Sequence, residues 1–166
     1  MMSMRFLVLL RTHRHWLPVA LWMGVIFALS TDLGSAEQTS YIIRPLILWL
    51  VPTASPEAVD RIQFLMRKCA HLAEYAVLAM LILRGIRISC LSTPKPWSWR
   101  QAGLALLIAA AYAATDEWHQ SFVPSRTADL GDVLIDSTGA SLGLLLALLE
   151  CKLAAHRRFF RATHPR

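Results

Sequence analysis

YAATDEWHQSFVPSRTADLGDVLIDSTGASLG, from Tyr112 to Gly143, is the stretch on which the reading of this chain turns. It leaves an apolar run, passes Asp116, Glu117, His119, Gln120, Arg126, Asp129, Asp132 and Asp136, and turns apolar again. Ionisable groups between two hydrophobic helices are costly beside lipid, so they face protein or water and mark a functional site.

Outward from this block, 55% of the 166 residues are hydrophobic and 17% charged, and the mean hydropathy is +0.44. That is far from the balance of a soluble domain. Apolar segments occupy 16–31, 69–83, 101–115 and 133–149, separated by Pro-, Gly- or charge-bearing stretches. The expected fold is an all-α, polytopic membrane helix bundle with four transmembrane helices. Each segment holds roughly 15–17 apolar residues, whereas a span needs about 20 to cross roughly 30 Å of hydrocarbon. Flanking polar residues must complete the helices, which sets His71, Glu74, Asp116, His119 and Asp136 within about a turn or two of the hydrocarbon edge.

Cytoplasmic loops carry the excess of Lys and Arg. Arg5, Arg11 and Arg14 lie in the N-terminal arm, Arg84, Arg87, Lys95 and Arg100 in the 84–100 loop, and Lys152, Arg157, Arg158, Arg161 and Arg166 in the tail. With an even number of spans these twelve of seventeen positive residues share one side, while all acidic residues but Glu150 take the other. The expectation is an integral, multi-pass protein of a bacterial-type plasma (inner) membrane with both termini cytoplasmic. Residues 1–15 form a basic arm, 16–149 a transmembrane domain and 150–166 a basic tail. The net charge of +6 matches this topology and attraction to anionic lipid, and no nucleic-acid motif accompanies it. Cys69, Cys90 and Cys151 are odd in number and unclustered, so neither a disulfide nor a metal–thiolate site is expected. The basic arm followed by an apolar run and Ala28-Leu29-Ser30 also fits a cleavable signal peptide. Retention is favoured, because cleavage would leave an odd number of spans and spoil the charge asymmetry.

The longest external connection follows span one. Tyr41 to Val51 is apolar but too short to cross, is interrupted by Pro45 and holds Trp49, which suits a re-entrant or surface segment. Ser55-Pro56-Glu57 is a helix start with cap, first-position proline and acid. Val59, Ile62, Leu65 and Met66 then make an apolar stripe, predicting an amphipathic surface helix that leads into span two. Trp22, Trp97 and Trp99 read as interface anchors or lipid-facing residues, and His13, His15, His156 and His164 as solvated tail residues.

Three groups of residues can carry chemistry. Lys68, His71 and Tyr75 step by three and four along one helical face, with Glu74 one turn from His71. Tyr112, Asp116, His119 and Gln120 cluster on one side of span three, with Glu117 pointing away. Asp116-x-x-His119 suits a metal, an Asp-oriented His base or a helix cap. Asp129, Asp132, Asp136, Gly139 and Gly143 make one narrow stripe on span four. Its glycines allow close helix approach, within one bundle or between subunits, so its aspartates face protein and need partners. Arg126, Lys68, His71 and His119 are the available ones. Such a set binds a divalent cation, does acid–base work on a headgroup, or forms a structural polar network that locks short helices together. No cofactor, metal or catalytic residue is assigned by these patterns.

Lys68-x-x-His71-x-x-Glu74-Tyr75, then Asp116-Glu117-x-His119-Gln120-x-Phe122-x-Pro124-x-Arg126, then Asp129-x-x-Asp132-Val133 and Asp136-x-x-Gly139-Ala140 resemble the VanZ-like membrane protein family. Asp136 stands where many relatives are expected to carry Asn. The resemblance implies a small polytopic protein of a family whose namesake lowers susceptibility to teicoplanin, a lipoglycopeptide directed at cell-wall precursors. Lipid phosphatases of the type-2 phosphatidic acid phosphatase family instead carry Ser-Arg, a His after five intervening residues and an Asp after three more. Here Ser125-Arg126 is followed at those places by Asp132 and Asp136, so the catalytic His is missing. The Asp-Gly-x-x-Ala-Arg element of CDP-alcohol phosphotransferases is absent. The expected partners are therefore the lipid bilayer and an anionic lipid or lipid-linked cell-wall precursor, bound by Arg126 and Lys68, with His71 and His119 donating or titrating and Asp116, Asp132 and Asp136 orienting them. A lipid hydrolase or transferase and a transporter are the competing classes, and an oligomer is compatible with the glycine stripe.

Overall fold

The computed structural model describes residues 14–90, 97–126 and 129–163, and among these every regular element is helical. A 3-10 turn, Arg14–Trp16, leads into α1 (Leu17–Leu29), whose Pro18 sits where a helix has no use for its N–H. A second 3-10 turn, Asp32–Gly34, is followed by α2 (Ala36–Leu50), N-capped by the Ser35 hydroxyl, which accepts from Gln38 N at 3.2 Å. The long helices are α3 (Pro56–Ser89), α4 (Trp99–Gln120) and α5 (Leu130–Thr163).

The Ser55 cap is present, accepting from Ala58 N at 3.3 Å with Pro56 next to it. Neither Pro nor Gly occurs from Glu57 to Arg84, so nothing breaks the backbone where a separate surface helix was expected to end. That amphipathic segment is the first three turns of a single 34-residue helix, about 51 Å long at 1.5 Å per residue. α2 begins at Ala36 rather than Tyr41 and continues through Pro45. It bends 70° from the α1 direction and leaves Tyr41, Ile42 and Trp49 at least 70% exposed.

Contacts give the helix directions. Lys68 pairs with Asp132 and His71 with Asp136, so α3 and α5 run parallel. His15 meets Ser89, and Trp22 Nε1 donates to Glu74 O at 2.9 Å, so α1 runs against α3. Tyr112 Oη donates to Met23 O and Ser30 Oγ to Asp116, so α4 runs with α1. The C-terminal ends of α1 and α4 and the N-terminal portions of α3 and α5 thus meet at one end of the bundle. Two of the sequence readings change here. Trp22 turns inward to a backbone carbonyl, and His15 bonds the Ser89 hydroxyl at 2.7 Å instead of standing in solvent. His13 and His164 lie outside the described residues.

The core joins Ile26, Tyr75, Leu78, Ile82 and Leu144 to an alanine face on α4, Ala105, Ala109 and Ala113. Outside it the bundle presents leucines such as Leu21, Leu107, Leu134 and Leu146, the surface a helical membrane protein offers to lipid. By length and composition α3 and α5 are each able to cross a membrane, and α1 with α2 makes a third candidate if the bent pair is one broken span. α4 has 22 residues, but Asp116 and Glu117 in its last turns dilute its apolarity.

The glycine stripe is the closest seam. A methyl group at Gly139 would come 2.3 Å from Leu72 O, and one at Gly143 would come 2.3 Å from Ala76 O. Both glycines therefore pack within this chain against the α3 backbone. Gly139→Ala and Gly143→Ala each add a carbon that the facing backbone cannot avoid, and should lower stability in detergent by about 1–3 kcal/mol. Gly24→Ala and Gly103→Ala, where nothing lies within 4 Å, should leave it unchanged or slightly raised through helix propensity. Thermal melts of the four variants check this.

Candidate functional site

The corner between α1 and α2 is the site's foundation. Thr31 Oγ1 donates to Ala28 O at 2.6 Å, and a Cβ at Gly34 would fall 1.9 Å from Leu29 O, so only glycine permits so close a backbone approach at this bend. Arg126 reaches across from the loop after α4 and donates to Gly34 O at 2.7 Å and to Leu29 O at 3.0 Å. Ser125 adds a hydrogen bond to Asp32. Arg126 is half-buried, and its guanidinium pKa is lowered, first by burial and next by the positive charge of Arg67. Arg67 of α3 reaches the same corner.

At this corner lies a cavity of 310 Å³, walled by Leu29, Ile43 and Met66 on the apolar side and by Arg67, His71, Glu74 and Arg126 on the polar side. His71 Nδ1 is 3.2 Å from Asp136 Oδ1, and Asp136 is fully buried. A buried carboxylate on one ring nitrogen sets the imidazole's orientation and leaves its other nitrogen for the cavity. Nε of Arg67, Nε of Arg126 and Oδ2 of Asp136 are buried without a hydrogen-bond partner. Native interiors satisfy most such groups, so these are places where a ligand or water completes the set.

The other expected residues divide by role. Lys68 is bound to Asp132 and lies 5.2 Å over the Phe64 ring, so its charge is used inside the protein and it does not line the cavity. Tyr75 is fully buried in the core, against the Tyr112 ring. Asp129 is not part of the helical stripe. It precedes α5, accepts from Gly131 N at 2.8 Å through Oδ1, and donates its own N–H to Glu117 Oε2 at 2.9 Å. Glu117 thus points into the protein, only 4% exposed, where the sequence reading turned it outward. Helical phase alone set it away from Asp116, and the loop that returns over its face was not visible in that phase.

Asp116, with 3% exposure, accepts from Ser30 Oγ at 2.7 Å and from Gln120 Nε2 at 3.1 Å, both on Oδ2. The Ser30–Asp116 bond stands between the cavity above and a second one of 390 Å³, where Asp116 and His119 meet Phe27, Tyr112, Trp118 and Phe122. His119 stacks on Phe27, ring centroids 4.5 Å apart, so it is separated from His71 rather than joined to it. Among the described residues, no three His, Cys, Asp or Glu side chains converge as a metal site requires.

With this geometry in place, the sequence model of the VanZ/LLP1 family matches residues 15–151. The chain belongs to the VanZ/LLP1 family. The matched VanZ-like region takes in all the polar residues of both cavities. No curated protein and no solved structure was found to match the chain. Sequence reasoning missed Arg67 and Ser30 in this VanZ-like site. Arg67 sits next to Lys68, so adjacency in a basic pair was a signal for it. Ser30 was read only as part of a small-residue cleavage pattern, and its role comes from a contact 86 residues away.

The part-buried Lys68–Asp132 pair yields a test. Lys68→Met leaves Asp132 uncompensated and should cost on the order of 3 kcal/mol. Lys68→Met combined with Asp132→Asn should recover most of that loss in thermal melts, because both charges are removed together.

Proposed function

We propose that this VanZ-like protein holds the anionic headgroup of a phospholipid or a lipid-linked cell-wall precursor at the outer face of a bacterial plasma membrane. The carrying observation is the 310 Å³ cavity that both Arg67 and Arg126 line, beside an apolar wall of Leu29, Ile43 and Met66. Guanidiniums bind phosphate oxygens through paired N–H donors, and the apolar wall suits the lipid portion below the headgroup. His71, oriented by Asp136, adds a titratable group at the same cavity.

In this reading the chain crosses the membrane four times, through α1, α3, α4 and α5, with both termini cytoplasmic. Support comes from the distribution of basic residues. Arg14, Arg84, Arg87, Arg100, Lys152 and Arg157 belong to helix ends opposite the site, as the positive-inside tendency would have it. α2 then lies at the outer surface, its exposed Tyr41 and Trp49 at headgroup level. Where the bound headgroup is that of a cell-wall precursor, altered teicoplanin susceptibility is the cellular consequence.

A second reading is favoured by the His71–Asp136 bond. An Asp-oriented imidazole beside two guanidiniums is also an arrangement for general acid–base work on a phosphoester. His71→Gln with headgroup binding intact and turnover of a lipid abolished would mark that chemistry.

Native mass spectrometry of protein purified in mild detergent tests the headgroup reading. Wild type should carry a defined anionic lipid, and Arg67→Gln should lose it while remaining folded. Arg126→Gln should lose it as well, with some stability, since Arg126 also ties the α1–α2 corner. Retention of the same lipid by folded Arg67→Gln protein would overturn the reading.

A further inference from the structure

The second cavity has the opposite chemistry from the first. Its walls are aromatic: Phe27 from α1, Tyr112 and Trp118 from α4, and Phe122 just beyond. Of its polar members, Thr115 donates its hydroxyl to Tyr112 O, whereas Asp116 and His119 present unpartnered buried atoms. Ser30 and Gln120 spend their donors on Asp116 Oδ2, leaving Oδ1 buried without a partner, and His119 Nε2 is likewise buried and unpartnered. Asp116 is 3% exposed and is among the residues that line the cavity, so its vacant oxygen lies at a buried position and not on a solvated surface.

A carboxylate oxygen only accepts, and an imidazole nitrogen accepts when the proton sits on the other ring nitrogen. A vacant carboxylate oxygen among π faces, beside an imidazole nitrogen that accepts in the Nδ1–H tautomer, suits a group that donates and carries positive charge. Aromatic faces attract such cations through the ring quadrupole, most strongly at Trp. The cavity also lies at the C-terminal end of α4, where the helix's unsatisfied carbonyls favour a cation. No Lys or Arg of the described chain lines it.

We propose that this aromatic cavity is a binding site for a primary ammonium group, either the headgroup of an amine-bearing lipid or a free small amine. Asp116 Oδ1 and His119 Nε2 accept two of its N–H bonds, and Phe27, Trp118 and Phe122 cover its charge. The hydrogen-bonded acceptors select a primary ammonium over a trimethylammonium, which has no N–H to give. This site is separate from the Arg67–Arg126 cavity and does not depend on what that cavity binds, because the Ser30–Asp116 bond divides the two.

Calorimetric titration of the detergent-solubilised chain tests it, with ethanolamine, choline, glycerol, and short-chain phosphatidylethanolamine as probes. The lipid is also titrated into Arg67→Gln protein, where the headgroup phosphate has lost its cationic partner. Saturable binding of ethanolamine and the lipid identifies a small-amine site, and binding of the lipid alone identifies a headgroup site; either supports the proposal. Asp116→Asn keeps an acceptor for Ser30 and should weaken binding about tenfold or more through loss of the charge-assisted bond. Trp118 is 69% exposed, so Trp118→Ala should fold normally and weaken binding several-fold. Equal binding of choline or glycerol, undiminished binding in folded Asp116→Asn protein, or absence of binding by both amine probes would overturn it.

Discussion

The rest of the structure depends on how closely α5 can approach α3. With no side chain at Gly139 and Gly143, the α5 backbone lies against the carbonyls of Leu72 and Ala76. That contact fixes the height of one helix against the other. Three residues up the stripe from Gly139 the same register sets Asp136 beside His71, and a further turn sets Asp132 beside Lys68. The carboxylates can be buried because the seam delivers partners to them, and an aspartate at either position without its partner would be a buried, uncompensated charge. Glycine seam and polar pairs are consequently one device: dispersion contact at the lower half, electrostatic pairing at the upper half.

The α1–α2 corner works by a different principle. The chain bends so tightly at Gly34 that backbone carbonyls turn toward the bundle end, and Arg126 satisfies two of them. Its direct hydrogen bonds go to carbonyls and not to a carboxylate, so Arg126 is held in place without a bonded counter-charge, although Asp116, Glu117 and Glu74 lie near enough to favour its charged form. Lys68 is the contrast, a cation matched by a carboxylate and so withdrawn from the cavity. A charge held in a fixed position and not spent in a direct ion pair is what allows a site to recognise an oppositely charged ligand without reorganising. Asp116 repeats the pattern with opposite sign, one oxygen held by Ser30 and Gln120 and the other left vacant.

Much of this was legible in the chain. The apolar segments, the Ser55 cap, the inward stripe of Asp132, Asp136, Gly139 and Gly143, and the gathering of charges at one end of the bundle follow from helical periodicity and hydropathy, which are local properties. Apart from the helix boundaries at Ala36 and within Pro56–Ser89, the readings that changed concern residues whose role depends on a distant segment. Glu117 was placed outward by helical phase but is covered by the loop that brings Asp129 to it. Lys68 and Arg67 are neighbours in sequence with similar charge, and only the position of Asp132 separates the paired cation from the one in the cavity. His71 and His119 could have shared a site, yet the Ser30–Asp116 bond sets them in different cavities.

By itself the sequence determined a helical, membrane-type chain with most of its ionisable groups turned inward, because hydropathy and 3.6-residue periodicity act within each segment and survive without knowledge of its neighbours; its ordered motifs carried the resemblance to the VanZ family. Tertiary structure alone decided which charge meets which. A hydrogen-bonded ion pair needs its N and O atoms within about 4 Å, and one helical turn is about 5.4 Å, so a shift of one turn between α3, α4 and α5 would exchange every partner while leaving the pattern of each helix untouched.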